Sequence, residues 1–194
     1  IKSYPGVVPS LLVSNNSTRD GLISRGKKIL PLGGIAKKVL VISNESGQWL
    51  KYKSDKYGFH NPQDIYQNNE IDIFLVGDSF TEGMGVSKSE ENIREFLHQS
   101  GFNVVNFGKS GSGPLLELAT IKEYAEPLKP KIVLWIYYSN DLLDLDYEMQ
   151  SSLLQKYLYE NDFSQNLISR QEEIDSVWVD YIESEYKNHH SVNE

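Results

Sequence analysis

The chain has no cysteine and only two methionines in 194 residues. Without cysteine there is no disulfide framework, no thiolate nucleophile and no cysteine zinc site, and the redox compartment is left open. Basic residues are also short: 19 Lys and Arg stand against 27 Asp and Glu, a formal charge of -8. That deficit excludes a nucleic-acid or anionic-membrane surface, which needs a basic excess or stripe to meet phosphates. The pairs Lys27-Lys28 and Lys37-Lys38 are too short to reverse it. Long apolar runs are missing as well. "IFLV" and "IVLWIYY" fall well below the roughly 20 residues of a membrane-spanning helix, and no signal-peptide pattern is present. A chain soluble as given, with no membrane span, is therefore expected. It opens on Ile1 rather than Met, which fits a processed or excised fragment.

What remains is an ordinary globular composition, 39% hydrophobic and 24% charged, sufficient for one core. Residues 1–38 are rich in Gly, Pro, Ser and Asn and read as an irregular lead-in. "KKVLVISNESGQWLKYKSD" holds two β-rich runs about Asn44 to Gly47, the pattern of a hairpin. The division expected is a lead-in with a packed hairpin over 1–70 and an α/β domain over 71–194.

Within the second part, "IDIFLV", "NVVNF" and "KIVLWIYY" read as strands. Between the first two, "SKSEENIREFLHQSG" opens with Ser87 and Glu90 at capping-box spacing, sets Ile93, Phe96 and Leu97 on one face and closes on Gly101. Between the second and third, Pro114 suits the first turn of a helix bearing Leu115, Leu118, Ile121 and Ala125. This alternation implies right-handed crossovers and a parallel sheet covered on both faces, a flavodoxin-like three-layer α/β/α architecture. After Asp146 only helices are expected, with stripes at Leu153, Leu154, Tyr157 and Leu158 and at Ile174, Val177, Trp178, Tyr181 and Ile182. Three parallel strands make a small sheet, so either the 39–53 hairpin extends it or the fold is incomplete at its C-terminal end.

Ligands of open α/β sheets bind outside the carboxyl ends of the strands. The loops there are "GDSFTEG", "GKSGSGP" and "SNDLLD". Acyl transfer from a serine needs an exposed hydroxyl on a fixed backbone, a base, and donors aimed at the oxyanion. Ser79 after Gly77, which lets the backbone turn tightly, meets the first need. Gly111 lacks Cβ and frees a second N–H, and Asn140 offers a side-chain NH₂ as a third donor. Taken singly, Ser79 reads as a helix cap and Gly111 or Asn140 as loop punctuation. Their co-occurrence after three successive strands points to chemistry. Asp78 reads as a structural turn residue.

In these residues the chain resembles the SGNH or GDSL hydrolases, a family of serine esterases, lipases and carbohydrate O-acetyl hydrolases or transferases. The resemblance runs over residues 54–144. Ser79 in "GDSFTEG" matches the nucleophile, Gly111 in "NFGKSGSGP" the second-block oxyanion glycine, and Asn140 in "SND" the third-block asparagine. Spacings of 32 (111 minus 79) and 29 (140 minus 111) suit one crossover helix each. The resemblance implies an esterase that acts on O-acetyl or other acyl groups of a carbohydrate or small molecule, with no cofactor and no metal. "YGFHNP" resembles a segment of bacterial envelope-polysaccharide members, which favours envelope or export over cytoplasm. The family's fourth block, Asp-x-x-His, is absent: His60, His98, His189 and His190 lie outside any such motif and read as surface histidines. Two explanations follow: a chain cut from a longer protein, which is preferred here, or a catalytically degenerate binder.

Rivals from other classes are a phosphate- or flavin-binding flavodoxin-like module and a scaffold docking partners through Tyr157, Tyr159, Tyr181 and Tyr186. "FGKS" lacks the glycine spacing of a P-loop. Oligomeric state is not legible in the sequence.

Overall fold

The run 73–76 is buried at every residue, as a strand covered on both faces should be, and the molecule is built around it. In the computed structural model, residues 7–9, 18, 20–44, 47, 49–67, 70–86, 88 and 91–191 are described, with side chains from 18 to 185. The strands are β1 (Val7–Pro9), β2 (Leu22–Ser24), β3 (Lys27–Ile29), β4 (Val39–Val41), β5 (Lys51–Lys53), β6 (Ile73–Val76), β7 (Val104–Asn106) and β8 (Ile132–Trp135). The helices are α1 (Ser79–Glu82), α2 (Ile93–Gln99), α3 (Pro114–Thr120), α4 (Glu126–Leu128), α5 (Asp141–Glu148), α6 (Ser152–Tyr159) and α7 (Gln171–Ser191). A π-helical turn, Ile121–Ala125, joins α3 to α4.

The main sheet has the order β7-β6-β8. Both pairings are parallel, with Ile73 opposite Val104 and Ile132, and Leu75 opposite Asn106 and Leu134. Alternate residues of β6 serve different cores. Phe74 and Val76 join Val105, Phe107, Leu116, Tyr124, Leu154 and Trp178 in the large one, under α3, α6 and α7. Ile73, Leu75 and Val104 form a smaller cluster with Leu97 of α2 on the opposite face. The result is a mixed α/β fold with a three-stranded parallel sheet flanked by helices, compatible with a flavodoxin-like architecture.

The hairpin expected over 39–53 is present, β4 pairing antiparallel with β5. It does not extend the main sheet: β1, β4 and β5 form a separate one. The lead-in is not merely irregular, because Ile29, Leu30, Leu32 and Ile35 enter the large core and Trp178 Nε1 donates to Gly33 O at 2.9 Å. Their Pro-Leu-Gly-Gly context hid a buried segment that has no regular periodicity.

Capping of α2 also differs from expectation. Asn92 is the N-cap, its side chain accepting from Glu95 N at 2.9 Å; Ser87 and Glu90 lie outside the described residues. Its buried residue is Arg94, while Phe96 is 71% exposed, so the anticipated apolar face is only partly used. Pro114 does open α3. Of the proposed docking tyrosines, Tyr157 is buried and donates to Glu123, Tyr159 is exposed, Tyr181 packs edge-on against Trp178, and the side chain of Tyr186 lies outside the described set.

Coverage of the sheet fails at β8. Ile132, Val133, Leu134 and Trp135 are each 40 to 54% exposed. Successive strand residues face opposite sides, so both faces are open here as well as the outer edge. Tyr137, Tyr138, Leu142 and Leu143 continue the apolar surface at 52 to 67% exposure.

Candidate functional site

The three loops meet at the carboxyl edge, and the packing that joins them explains their glycines. Ser79 is the first residue of α1, directly beyond β6. Asp78 is the N-cap, its side chain accepting from Phe80 N at 3.0 Å. Gly77 does not have the left-handed backbone a tight turn would need. It is glycine because a Cβ there would come 2.2 Å from Thr81 Oγ1 and 2.9 Å from Ile136 O. At Gly108 a Cβ would sit 2.6 Å from Glu82 N, and at Gly113 it would sit 2.6 Å from Asp144 Cβ. The β6 loop therefore abuts both neighbours, and the β7 loop abuts α5.

The β7 loop is held from below by a buried network. Glu82 is fully buried and Lys109 is 2% exposed. Lys109 Nζ donates to Glu82 Oε1 at 2.9 Å, Ser110 N donates to Oε2 at 2.7 Å, and Ser110 Oγ donates to the same oxygen. Tyr52 Oη donates to Oε1 at 2.9 Å. Burial alone would push the Glu82 carboxyl up, but the Lys109 charge and the donors on Ser110 and Lys109 outweigh it and hold the group at about 2. A carboxylate so satisfied fixes the backbone of Ser110. Next in the chain stands Gly111, in the left-handed region at φ 78°, which favours glycine.

The end of β7 is fixed on its other side. Asn61 Nδ2 donates to Asn106 O and Asn106 N donates to Asn61 Oδ1, at 2.8 and 2.7 Å, so one side chain imitates a neighbouring strand. Asn61 also donates to Asp55, which accepts from Tyr57 N, Phe59 N and Tyr66 Oη. "SDKYGFHNP" is thus a structural belt around β7.

Ser79, Gly111 and Asn140 lie in adjacent loops on one edge, and no hydrogen bond links them among the described residues. Ser79 is partly exposed. Neither its N–H nor that of Gly111 has a partner there. Asn140 precedes α5 and donates from Nδ2 to Asp144 Oδ2 at 3.2 Å; one of its two amide hydrogens is left over.

Carboxyl groups crowd the same edge. Glu117 of α3 accepts from Trp135 Nε1, and its other oxygen, like Asp141 Oδ1, is buried without a partner. Burial pushes Glu117 up to about 8; the Trp135 hydrogen bond opposes this and the Asp141, Glu148 and Asp78 charges add to it. Glu148 accepts from Gly113 N and Leu115 N, both at 2.7 Å, yet burial raises it to about 7. Glu117 is the larger omission of the sequence reading; its place in an apolar helical stripe was the available signal.

No histidine stands beside Ser79 among the described side chains. His60 is buried, not superficial: it stacks on Tyr52 with centroids 4.0 Å apart, and its Nδ1 is 2.8 Å from Glu82 O, at the other end of α1. His98 is exposed on α2. The side chains of His189 and His190 lie outside the described set. No group of three or more His, Asp or Glu able to hold a metal occurs among the described residues, and none of their helices is long and apolar enough to cross a membrane. No protein-family model matches the chain, and neither a curated protein nor a solved structure matches it.

Proposed function

We propose that this chain carries the nucleophile and oxyanion-binding part of an SGNH/GDSL-type serine ester hydrolase, acting on an O-acetyl or other acyl group of a carbohydrate or small molecule. The observation that carries the reading is a serine at the tip of the central buried strand, with two N–H groups unpartnered among the described residues, its own and that of Gly111, in adjoining loops. Ser79 Oγ attacks the acyl carbon and its proton passes to a base. The two amides and Asn140 Nδ2 receive the negative charge that develops on the carbonyl oxygen, where each donor is worth about 2.7–4 kcal/mol. Collapse expels the alcohol, and water then releases the acyl group from Ser79.

The base in this scheme comes from polypeptide that packs on the uncovered β8 surface, beside Asn140. An apolar strand open on its edge and both faces is the place where a strand and its flanking helices would fit. A phosphate- or flavin-binding role at the same edge is disfavoured because the carboxyl groups of Asp78, Asp141 and Glu148 act on Glu117 there, and each adds negative charge as it ionises.

The test is mass-detected labelling of the chain by a fluorophosphonate. Single labelling that vanishes in Ser79→Ala and slows by about 10²-fold or more in Asn140→Ala supports the site. Labelling that persists in Ser79→Ala overturns it. If the folded chain stays unlabelled, the same experiment on a longer gene product decides, and failure there also overturns the reading.

A further inference from the structure

A recess lies away from Ser79, beyond the far end of α1. It measures about 210 Å³ and is bounded by β5, the 60–62 turn and the start of α2. That is below the roughly 300–1,000 Å³ of sites for drug-sized ligands, so it suits one small molecule or one group of a larger one.

Its chemistry is unusual for a surface dent. Arg94 lines it while only 5% exposed. The guanidinium has five N–H donors. Nε donates to Val104 O at 3.1 Å and Nη1 to Glu95 Oε2 at 2.7 Å; no other hydrogen-bond partner exists among the described residues, and the Asp64 charge acts on the group as well. Nη2 is not among the buried side-chain atoms without a partner, so its two N–H groups reach solvent and can meet a ligand. Lys53, an exposed residue of β5, lines the same wall.

The recess also offers an acceptor. His60 Nδ1 faces the Glu82 carbonyl, which can only accept, so Nδ1 carries the proton and Nε2 presents a lone pair while the ring is neutral. Burial holds His60 below its usual value, Glu82 opposing and Lys109 and Arg94 reinforcing, so the ring is neutral at pH 7.

We propose that this recess binds a small hydroxycarboxylate, its carboxylate accepting from Arg94 and Lys53 and its hydroxyl donating to His60 Nε2. A guanidinium fork matches a carboxylate in a way a point charge does not. Lys53 and Arg94 stand against Glu95 in the lining and the Asp64 charge that acts on Arg94, which disfavours a phosphate dianion more than a monoanion. The inference is independent of Ser79: the recess is separated from it by α1 and shares no lining residue with it.

The experiment is a ¹H–¹⁵N titration at pH 7 and constant ionic strength that follows the Arg94 Nε–H signal, with sodium glycolate, sodium acetate, sodium phosphate and ethylene glycol as probes. A saturable shift with glycolate is expected. Acetate, lacking the hydroxyl, should bind about fivefold more weakly, and ethylene glycol, lacking the charge, should give no shift. Lys53→Glu should weaken glycolate binding at least about tenfold with no change in melting temperature. Arg94→Lys, read through neighbouring amides, should weaken it also. Glycolate shifts no larger than those of sodium chloride overturn the proposal, as does equal binding by Lys53→Glu or a preference for phosphate.

Discussion

Lys109 Nζ lies 2.9 Å from Glu82 Oε1 in a part of the molecule where the two side chains are 2% and 0% exposed. The pair joins the first and second loops of the candidate site, since Glu82 ends α1 and Lys109 stands two residues before Gly111. Breaking a buried pair from one side strands the other charge, at about 3–5 kcal/mol. Lys109→Met should therefore lower the melting temperature by about 6–20 °C, using the scale for chains of this size. Glu82→Gln combined with Lys109→Met should recover much of the loss, because no lone charge remains and the amide oxygen still accepts from Ser110. The acid limb has a definite sign. The folded value of Glu82 is about 2, below the ordinary 4.5, so its contribution is present above pH 4.5 and lost as pH falls toward 2. Urea or thermal melts from pH 7 to pH 2 check this. An acid limb of equal steepness in the double variant would sink it.

At the opposite end of the pH range Glu117 acts with the other sign. Its folded value of about 8 is above the ordinary 4.5. The stability it contributes is complete below pH 4.5, declines as pH rises and is lost beyond about 8. Glu117→Gln keeps an oxygen to accept from Trp135 Nε1 and an amide to replace the carboxyl hydrogen, but it cannot ionise. Wild type and variant should melt together at pH 5. At pH 9 the variant should be more stable by about 3–5 kcal/mol, about 6–20 °C. Parallel melting curves across this range would show that Glu117 is not protonated in the fold. Glu148, at about 7, remains in both proteins; because its charge also raises Glu117, the difference between them reports Glu117 together with that coupling.

These two carboxyl groups show where a sequence stops being informative. The three main strands, the Pro114 helix start, the helices after Asp146 and the alignment of Ser79, Gly111 and Asn140 along one edge were all legible, because they rest on local periodicity and on the rule that site loops follow strands. Tertiary facts were not. Glu82 in "TEG" and Lys109 in "GKS" are two opposite charges 27 residues apart (109 minus 82), and nothing in spacing says that they meet. His60 looked superficial because burial of one ring depends on stacking with Tyr52 of β5 and on the Glu82 carbonyl of α1, contacts that no local spacing announces. Gly77 looked like a turn residue, whereas close approach of neighbouring loops is what requires it.

The same limit applies to β8, whose sequence reads as a strand buried on both faces and whose four residues are 40 to 54% exposed. An apolar strand with a free edge is a template for pairing with another chain. Val133 and Leu134 face opposite sides of the sheet, so no single covering helix would hide both. A second copy pairing edge to edge would satisfy the backbone but bring an equally bare strand, leaving both faces apolar. The isolated chain should therefore self-associate weakly and without a fixed stoichiometry as its concentration rises from about 10 to about 500 μM, seen as a steady drift in sedimentation coefficient. Val133→Lys with Leu134→Lys should abolish the drift with little change in melting temperature, because both side chains are already half in water and β8 keeps its pairing to β6. A wild-type chain that stays monomeric throughout, or a discrete dimer that survives the lysines, would show that the strand is not the sticky surface. The same double variant tested in a longer gene product separates two roles: if polypeptide packs on β8 to complete the esterase, labelling of Ser79 should fall together with stability, and if β8 is merely exposed neither should change.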